Sequence, residues 1–198
     1  MRQESVGVTE NLLESAKKEF MSCGFHNASL RKIAADGGVS TNSIYTRFGD
    51  KAGLFSAIVK PAADGLMELY LGSIQSAADS TDTANAAHLG DEGTDIILEY
   101  IYGSFDAFRL IFCYSAGTEY ENYFDKLAET EEFYYRKFAE KYGKTHIDDF
   151  FIHVVCRTGW QYIYEAVSHG LSFEEAKAFM QNIKHFCFAG WKAVLGIE

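Results

Sequence analysis

The sequence predicts an all-α protein, on three observations. Apolar residues recur mostly at three- and four-residue spacing, and no stretch alternates long enough to make a strand. Hydrophobic residues fill 47% of the 198 positions and aromatic ones 15%, enough for a sizeable core. The single proline, Pro61, leaves the helices few interruptions.

Val8, Leu12, Leu13, Ala16 and Phe20 mark one face of a first helix, with Lys17, Lys18 and Glu19 opposite, and Gly24 is placed to end it. Asn27-Ala28-Ser29 offers a cap for a short second helix whose inner residues are Leu30, Ile33 and Ala34. Gly37-Gly38 breaks that helix, and Ser40 is positioned to cap a third, with Ile44 and Phe48 pointing inward. Asp50 caps a fourth, which runs through Leu54, Phe55 and Ile58, meets Pro61, and resumes as Leu66, Leu69, Tyr70 and Ile74. A kink or break is expected near residues 57–61. Residues 75–94, rich in Ala, Ser, Thr, Asp and Gly, read as a loop. Helices follow at about 95–113, with a break at Gly103-Ser104, then at 118–142, 147–169 and 173–195. Ser172 and Glu175 have the spacing of a capping box for the last of them.

The net charge of −10 is unevenly placed. Residues 1–60 hold eight Lys/Arg against six Asp/Glu, and the remainder holds ten against twenty-two. A charge-compensated head on an acidic body suits a chain whose head alone meets a polyanion. Cys23, Cys113, Cys156 and Cys187 form no C-x-x-C pair, and Arg2 and Glu4 lead into an amphipathic pattern, not a signal peptide. Buried, reduced thiols in a cytoplasmic protein are therefore expected. Charged residues such as Arg109, Glu119, Asp149, Arg157 and Glu165 cut every apolar stretch short of the ~20 residues that a membrane span needs.

The segment from Ser29 to Phe55 carries the most information. Leu30, Ile33, Ala34, Val39, Ile44 and Phe48 suffice to lock two short helices around the Gly38 turn, as in a helix-turn-helix. What remains on the third helix is Thr41, Asn42, Ser43, Tyr45, Thr46 and Arg47, side chains able to hydrogen-bond base edges in a major groove. Lys51 opens the next helix, where a cation faces the positive end of the dipole and a bound phosphate would account for it. The run Phe20-x-x-x-Gly24-Phe25, Ser29-x-x-x-Ile33-Ala34, Gly38-Val39-Ser40 and Ile44-Tyr45-x-x-Phe48-x-x-Lys51-x-x-Leu54 resembles the DNA-binding signature of TetR-type regulators over nearly all of residues 8–60. The resemblance implies that Ser40, Tyr45 and Lys51 hold phosphates, and that Ser29 touches the DNA backbone. It further implies that Thr41, Asn42, Ser43, Thr46 and Arg47 supply most base contacts. Many members have Gly where Asn42 stands and an aromatic residue at the Arg47 position, a difference that bears on the operator sequence and not on the fold.

The rest of the chain resembles the family only in layout, a helical body for effector binding and dimerisation. The expected division is a DNA-binding domain over 1–60 and an effector-binding and dimerisation domain over 61–198. Within the body Met67, Tyr70, Phe105, Phe108, Tyr123 and Trp160 are candidates to line a cavity for an apolar or cationic ligand. Arg109 and Arg157 either meet a ligand anion or pair with carboxylates such as Glu99 or Glu165. Apolar residues run round more of the last helix (Ala176, Phe179, Met180, Ile183, Phe186, Cys187, Gly190, Trp191, Val194) than one core face needs. With Val155, Gly159, Tyr162, Ile163 and Ala166 on the helix before, this suits a four-helix interface around a two-fold axis.

Enzyme motifs are missing: there is no G-x-S-x-G elbow, P-loop or G-x-G-x-x-G, and no cofactor is expected. His146 and His153, with Asp148 and Asp149 between them, read as a solvated helix start before a metal site. The function implied by the resemblance is ligand-responsive repression by a homodimer on a palindromic DNA operator. The alternative is a helical small-molecule-binding protein whose head is only structural.

Overall fold

The computed structural model describes residues 7–79, 83–142 and 146–196; Arg2 and Glu4, and residues 80–82 of the expected loop, lie outside them. Among the described residues the chain is nine helices: α1 (Val8–Asn27), α2 (Leu30–Asp36), α3 (Thr41–Phe48), α4 (Lys51–Ala78), α5 (Thr83–Gly103), α6 (Phe105–Tyr114), α7 (Tyr123–Tyr142), α8 (Asp149–Ser168) and α9 (Phe173–Leu195). They fall into two compact units. One holds the chain up to Asp64 together with Ser104–Glu121, and the other holds Gly65–Gly103 with Asn122–Glu198.

The first unit is built on fully buried Leu12, Ala16, Phe20, Ile33, Ile44, Leu54 and Phe55. Phe55 is its hub, with its ring 5.1 Å from Phe20, 5.6 Å from Phe25 and 6.2 Å from Tyr120. Segment 104–121 joins the same unit through Lys17–Asp106 at 2.9 Å and the Ser56–Tyr120 hydroxyl pair at 3.0 Å. Backbone continuity alone placed that segment with the body. At Gly24 the φ/ψ of 75°, 165° interrupts α1 where the glycine predicts it, yet the helix resumes to Asn27. Gly53 has a different task in the first turn of α4: a Cβ there would stand 1.9 Å from the Phe48 carbonyl oxygen. Gly53→Ala is therefore expected to lower the unfolding free energy by about 1–3 kcal/mol, because backbone must move to admit one methyl. Urea denaturation checks this, and an unchanged midpoint would mean that the α3–α4 corner yields freely.

In the second unit α7 packs along α8, and α9 packs on α8 and α5. Leu98, Ile101, Leu127, Ile152, Cys156, Trp160, Val167 and Met180 are buried there, and Lys184 of α9 reaches Asp95 of α5 at 2.8 Å. Asp148 caps α8, accepting the N–H groups of Phe150 and Phe151, and Ser172 with Glu175 closes the predicted capping box on α9.

Three expectations about helix limits need correction. No break occurs at Pro61, and α4 runs through it from Lys51 to Ala78. Pro61 and Ala57 both face solvent, so water can satisfy the carbonyl that the proline leaves unbonded. Most of the tract 75–94 is helix, since α4 extends to Ala78 and α5 begins at Thr83. Gly93, which looks like loop punctuation, sits where a Cβ would stand 1.9 Å from Ser73 Oγ, so it marks close packing of α5 on α4. Finally, α7 starts at Tyr123, not at 118. Ser115 donates to Ile111 O, and Thr118 donates to Ser115 O and accepts from the Tyr120 N–H. These hydroxyls hold the backbone in turns that compete with helix.

The four cysteines are free thiols, but only Cys156 is buried and the other three are half-buried. No helix among the described residues is long and apolar enough to cross a membrane. His153 donates to or accepts from Glu132 at 2.6 Å, and Arg136 spans Glu132 and Asp149 at 3.1 Å each. No group of three metal-capable side chains occurs among the described residues.

Candidate nucleic-acid interface

Helix α3 is fixed from below and polar above. Ile44 is fully buried, while Val39 and Phe48 are partly covered on the same side. Ser40 caps the helix, its Oγ accepting the Ser43 N–H at 3.2 Å and lying 3.0 Å from Ser43 Oγ. Asn42, Tyr45 and Thr46, at three- and four-residue spacing, share the outward face and are all exposed. The Thr46 hydroxyl is used within the helix, donating to Asn42 O at 2.9 Å. Among the described residues the Asn42 amide and the Tyr45 hydroxyl have no protein partner, and Tyr45 is 51% exposed. Neither α2 nor α3 has an acidic residue in its first turn; the Glu19 carboxylate of α1 stands at the positive end of α2, and α3 has none of its own at its positive end.

The other predicted contacts are placed differently. Thr41 and Ser43 are half-buried at the start of α3. Arg47 turns back toward α1, its guanidinium donating to Thr9 Oγ1 at 2.8 Å. Ser29 caps α2: its Oγ accepts from the Lys32 N–H at 3.4 Å, and its own N–H donates to Glu19 Oε1 at 3.2 Å. Glu19 is 7% exposed, and its hydrogen bond from Lys32 holds the carboxyl below the usual carboxylate range against the opposing effect of burial. That link ties the N-terminus of α2 to α1, setting the angle at which α3 is presented. Sequence reasoning did not find it, although Glu19 stands one residue before the core Phe20.

Lys51 has a local role that charge logic along one helix could not show. Its ammonium donates to His26 O at 2.9 Å and Ala28 O at 3.2 Å, and stands 4.8 Å from the Phe25 ring centroid. The lysine is thus explained by the carbonyls that end α1, which a cation at a helix C-terminus satisfies. An ammonium has three donors, so one is left over to reach outward.

The six residues proposed to line a cavity are divided between the two units. Phe105 and Phe108 belong to the first, where Phe108 is fully buried with its ring 5.8 Å from Phe112. Met67, Tyr70, Tyr123 and Trp160 belong to the second. Tyr70 and Trp160 meet edge to face at 5.0 Å, 6% and 3% exposed. Beside them lies Glu131, which sequence reading missed within an acidic run, although its four-residue spacing from Leu127 and Tyr135 places it on the inner face of α7. Desolvation raises the Glu131 carboxyl to about 8. Of the two arginines, Arg157 pairs with Asp125, not with Glu165, which faces His169 at 3.2 Å.

The sequence profile of bacterial regulatory proteins of the tetR family matches residues 12–58. No curated protein matches the chain. Several solved structures share its fold. A TetR-like transcriptional regulator from Rhodococcus sp. RHA1 is 18% identical, with 96% of this chain and 100% of that one covered at a TM-score of 0.58. A transcriptional regulator from Aquifex aeolicus VF5 is 15% identical, with 91% and 99% covered at 0.62. NalD of Pseudomonas aeruginosa, the secondary repressor of the MexAB-OprM multidrug efflux pump, is 16% identical, with 90% and 96% covered at 0.59. The buried Ile44, the caps at Ser29 and Ser40 and the exposed polar face of α3 thus lie inside the segment that matches the tetR-family profile, and the helix-turn-helix head and helical body have the fold of TetR-like regulators.

Proposed function

We propose that this protein is a cytoplasmic transcriptional repressor that binds a palindromic operator as a homodimer and leaves it when a small-molecule effector binds. Residues 1–60 read the DNA, and residues 61–198 carry the effector site and the dimer interface. The observation that carries this reading is the outward face of α3, where Asn42 and Tyr45 keep their polar ends free while Ile44 anchors the helix. An unpartnered amide on a short, rigidly held helix can bond an adenine edge, with about 1–3 kcal/mol of discrimination for a good bidentate pair. Two such helices on one duplex must be spaced ~34–36 Å apart, which a two-fold dimer provides.

Exposed apolar side chains support the dimer. Phe150 (71% exposed), Phe151 and Val154 on α8, with Phe186 (71%), Phe188 and Val194 on α9, leave apolar surface in water on the two helices that the sequence singles out. Repression rather than activation is favoured by the likeness to NalD, itself a repressor.

Titrating a labelled duplex from the gene's own upstream region against scrambled competitor tests the reading. Specific, salt-sensitive binding is expected. Equal binding to both duplexes would mean a nonspecific duplex binder, and binding to neither would leave a small-molecule-binding protein with a structural head. Within a specific complex, Asn42→Ala should cost about 1–3 kcal/mol and relax preference at one base pair per half-site. Equal losses on matched and mismatched sites would remove Asn42 from base reading. Lys51→Ala is the poorer probe, because it also strips the carbonyls of His26 and Ala28 of their donor.

A further inference from the structure

We propose that Glu19 of α1 is a positioning residue for operator recognition, holding α2 and α3 at the tilt from which Asn42 and Tyr45 meet DNA. The inference rests on the reading of residues 1–60 as the DNA-binding part, and names a residue outside α3 on which that binding depends.

Glu19 is 7% exposed and stands one residue before the core Phe20, where an apolar side chain would need no partner. A carboxylate at such a position has to be answered, and its two oxygens meet two different points on the first turn of α2. Oε1 accepts the Ser29 N–H at 3.2 Å, and Oε2 accepts from the Lys32 ammonium at 2.5 Å. From α1 itself the Cys23 thiol stands 3.8 Å from Oε1. One turn before Glu19, the buried Ser15 hydroxyl donates to Ile33 O at 3.0 Å. Ser15 and Glu19 thus grip α2 from one face of α1, at Ser29, Lys32 and Ile33. A buried ion pair is weak evidence for stability, since well-packed apolar residues of similar volume often do as well. What the arrangement adds is direction. Two oxygens on two different groups fix the rotation of α2 against α1, which apolar contact, having no directionality, does not.

The seat of α2 is passed on to α3. In the turn between them the Gly37 N–H donates to Ile33 O and the Val39 N–H to Ala34 O, both at 2.9 Å. Ile33, Ala34 and Ile44 are buried where α2 packs on α3, so the two helices move as one piece. Polar recognition groups keep their geometry to about 0.5 Å only where supporting hydrogen bonds lock the elements that carry them. Asn42 and Tyr45 face outward, so their direction is set behind them, by how α2 is held on α1.

Charge alone predicts the opposite outcome. The hydrogen bond from Lys32 keeps Glu19 ionised, and an anion in the head opposes phosphates. Removing it on that ground would strengthen binding to any duplex. Positioning predicts instead that Glu19→Leu weakens binding to the operator alone. The two effects differ in sign.

The test is the titration of operator and scrambled duplex with the full chain, well below each melting midpoint, with circular dichroism melts as the check on folding. Glu19→Leu is expected to bind operator about tenfold or more weaker than wild type, the scale of one misdirected base contact per half-site. Scrambled duplex should be bound as well as before, or better. Glu19→Gln restores an acceptor for the Ser29 N–H without the charge, and should recover binding to within about threefold of wild type. Glu19→Asp keeps the charge and draws the carboxyl back by one methylene, ~1.5 Å. A severalfold loss on operator alone is expected of it, and it decides the matter if the leucine variant does not fold. Operator binding equal to or tighter than wild type in the folded leucine or aspartate variant would overturn the proposal. So would losses of equal size on both duplexes, or a glutamine variant as weak as the leucine one. If wild type prefers the operator and the variants change nothing, the positioning role falls and the regulator stands. If wild type shows no preference, the DNA-binding reading falls and this inference with it.

Discussion

Gly190→Arg should turn the dimer into a monomer and lower operator affinity by roughly 10²–10⁴-fold, because two linked half-site contacts become one. Gly190 lies on α9 one turn after Phe186 and one turn before Val194, both exposed, so it sits mid-stripe on the face proposed to meet the partner. A Cβ at Gly190 meets nothing within 4 Å. Arginine is therefore accommodated in the isolated chain and is the better helix former, so folding should be retained. What the substitution changes is the surface: a charge and a long side chain enter an apolar contact in two copies, related by the two-fold axis. Light scattering at micromolar concentration, with circular dichroism as the check on folding, separates the outcomes. A folded variant that still dimerises would place the interface on other helices.

Legibility in the sequence followed the range of the interactions. Ser29, Ser40, Asp50 and Ser172 act as caps because capping needs only the next three residues, and each is visible as a local pattern. The inner face of the head was equally plain, since Leu12, Ala16, Phe20, Ile33 and Ile44 recur at helical spacing and are buried. Where a residue's role depends on a distant segment, the local pattern misled. Gly93 looks like a loop residue until Ser73 is seen beside it, and Pro61 looks like a breaker until its face proves to be solvent. Lys51 and Arg47 show the same limit in the candidate site. Both are cations suited to phosphate, and both have backbone or side-chain partners on α1 that lie 25 and 38 residues away in sequence. The grouping of 104–121 with the head likewise arises from contacts such as Lys17–Asp106, between segments with no shared motif.

Glu131→Gln should make the protein more stable in alkali and change little in acid. The native carboxyl titrates at about 8, against 4.5 for an exposed glutamate. A group whose pKa is raised by folding contributes fully below its unfolded value, and the contribution is lost as pH climbs toward the folded one. Wild-type stability should accordingly fall between pH 4.5 and 8, and the whole penalty is present at pH 9. Each tenfold change in proton affinity is worth about 1.4 kcal/mol, so the rise from 4.5 to about 8 sets a ceiling of about 5 kcal/mol. Glu131 retains some contact with solvent, so about 2–4 kcal/mol is the realistic size. Glutamine keeps the shape and an acceptor for Tyr70 and Trp160, carries no titrating proton, and so should show none of this slope. For a chain of this length the difference amounts to a rise of roughly 4–16 °C in melting temperature at pH 9, shrinking to nothing or a slight loss near pH 4. Thermal melts of both proteins from pH 4 to 9 decide it. Parallel curves would mean that Glu131 ionises at its ordinary pH in the folded chain, with water already at its carboxyl.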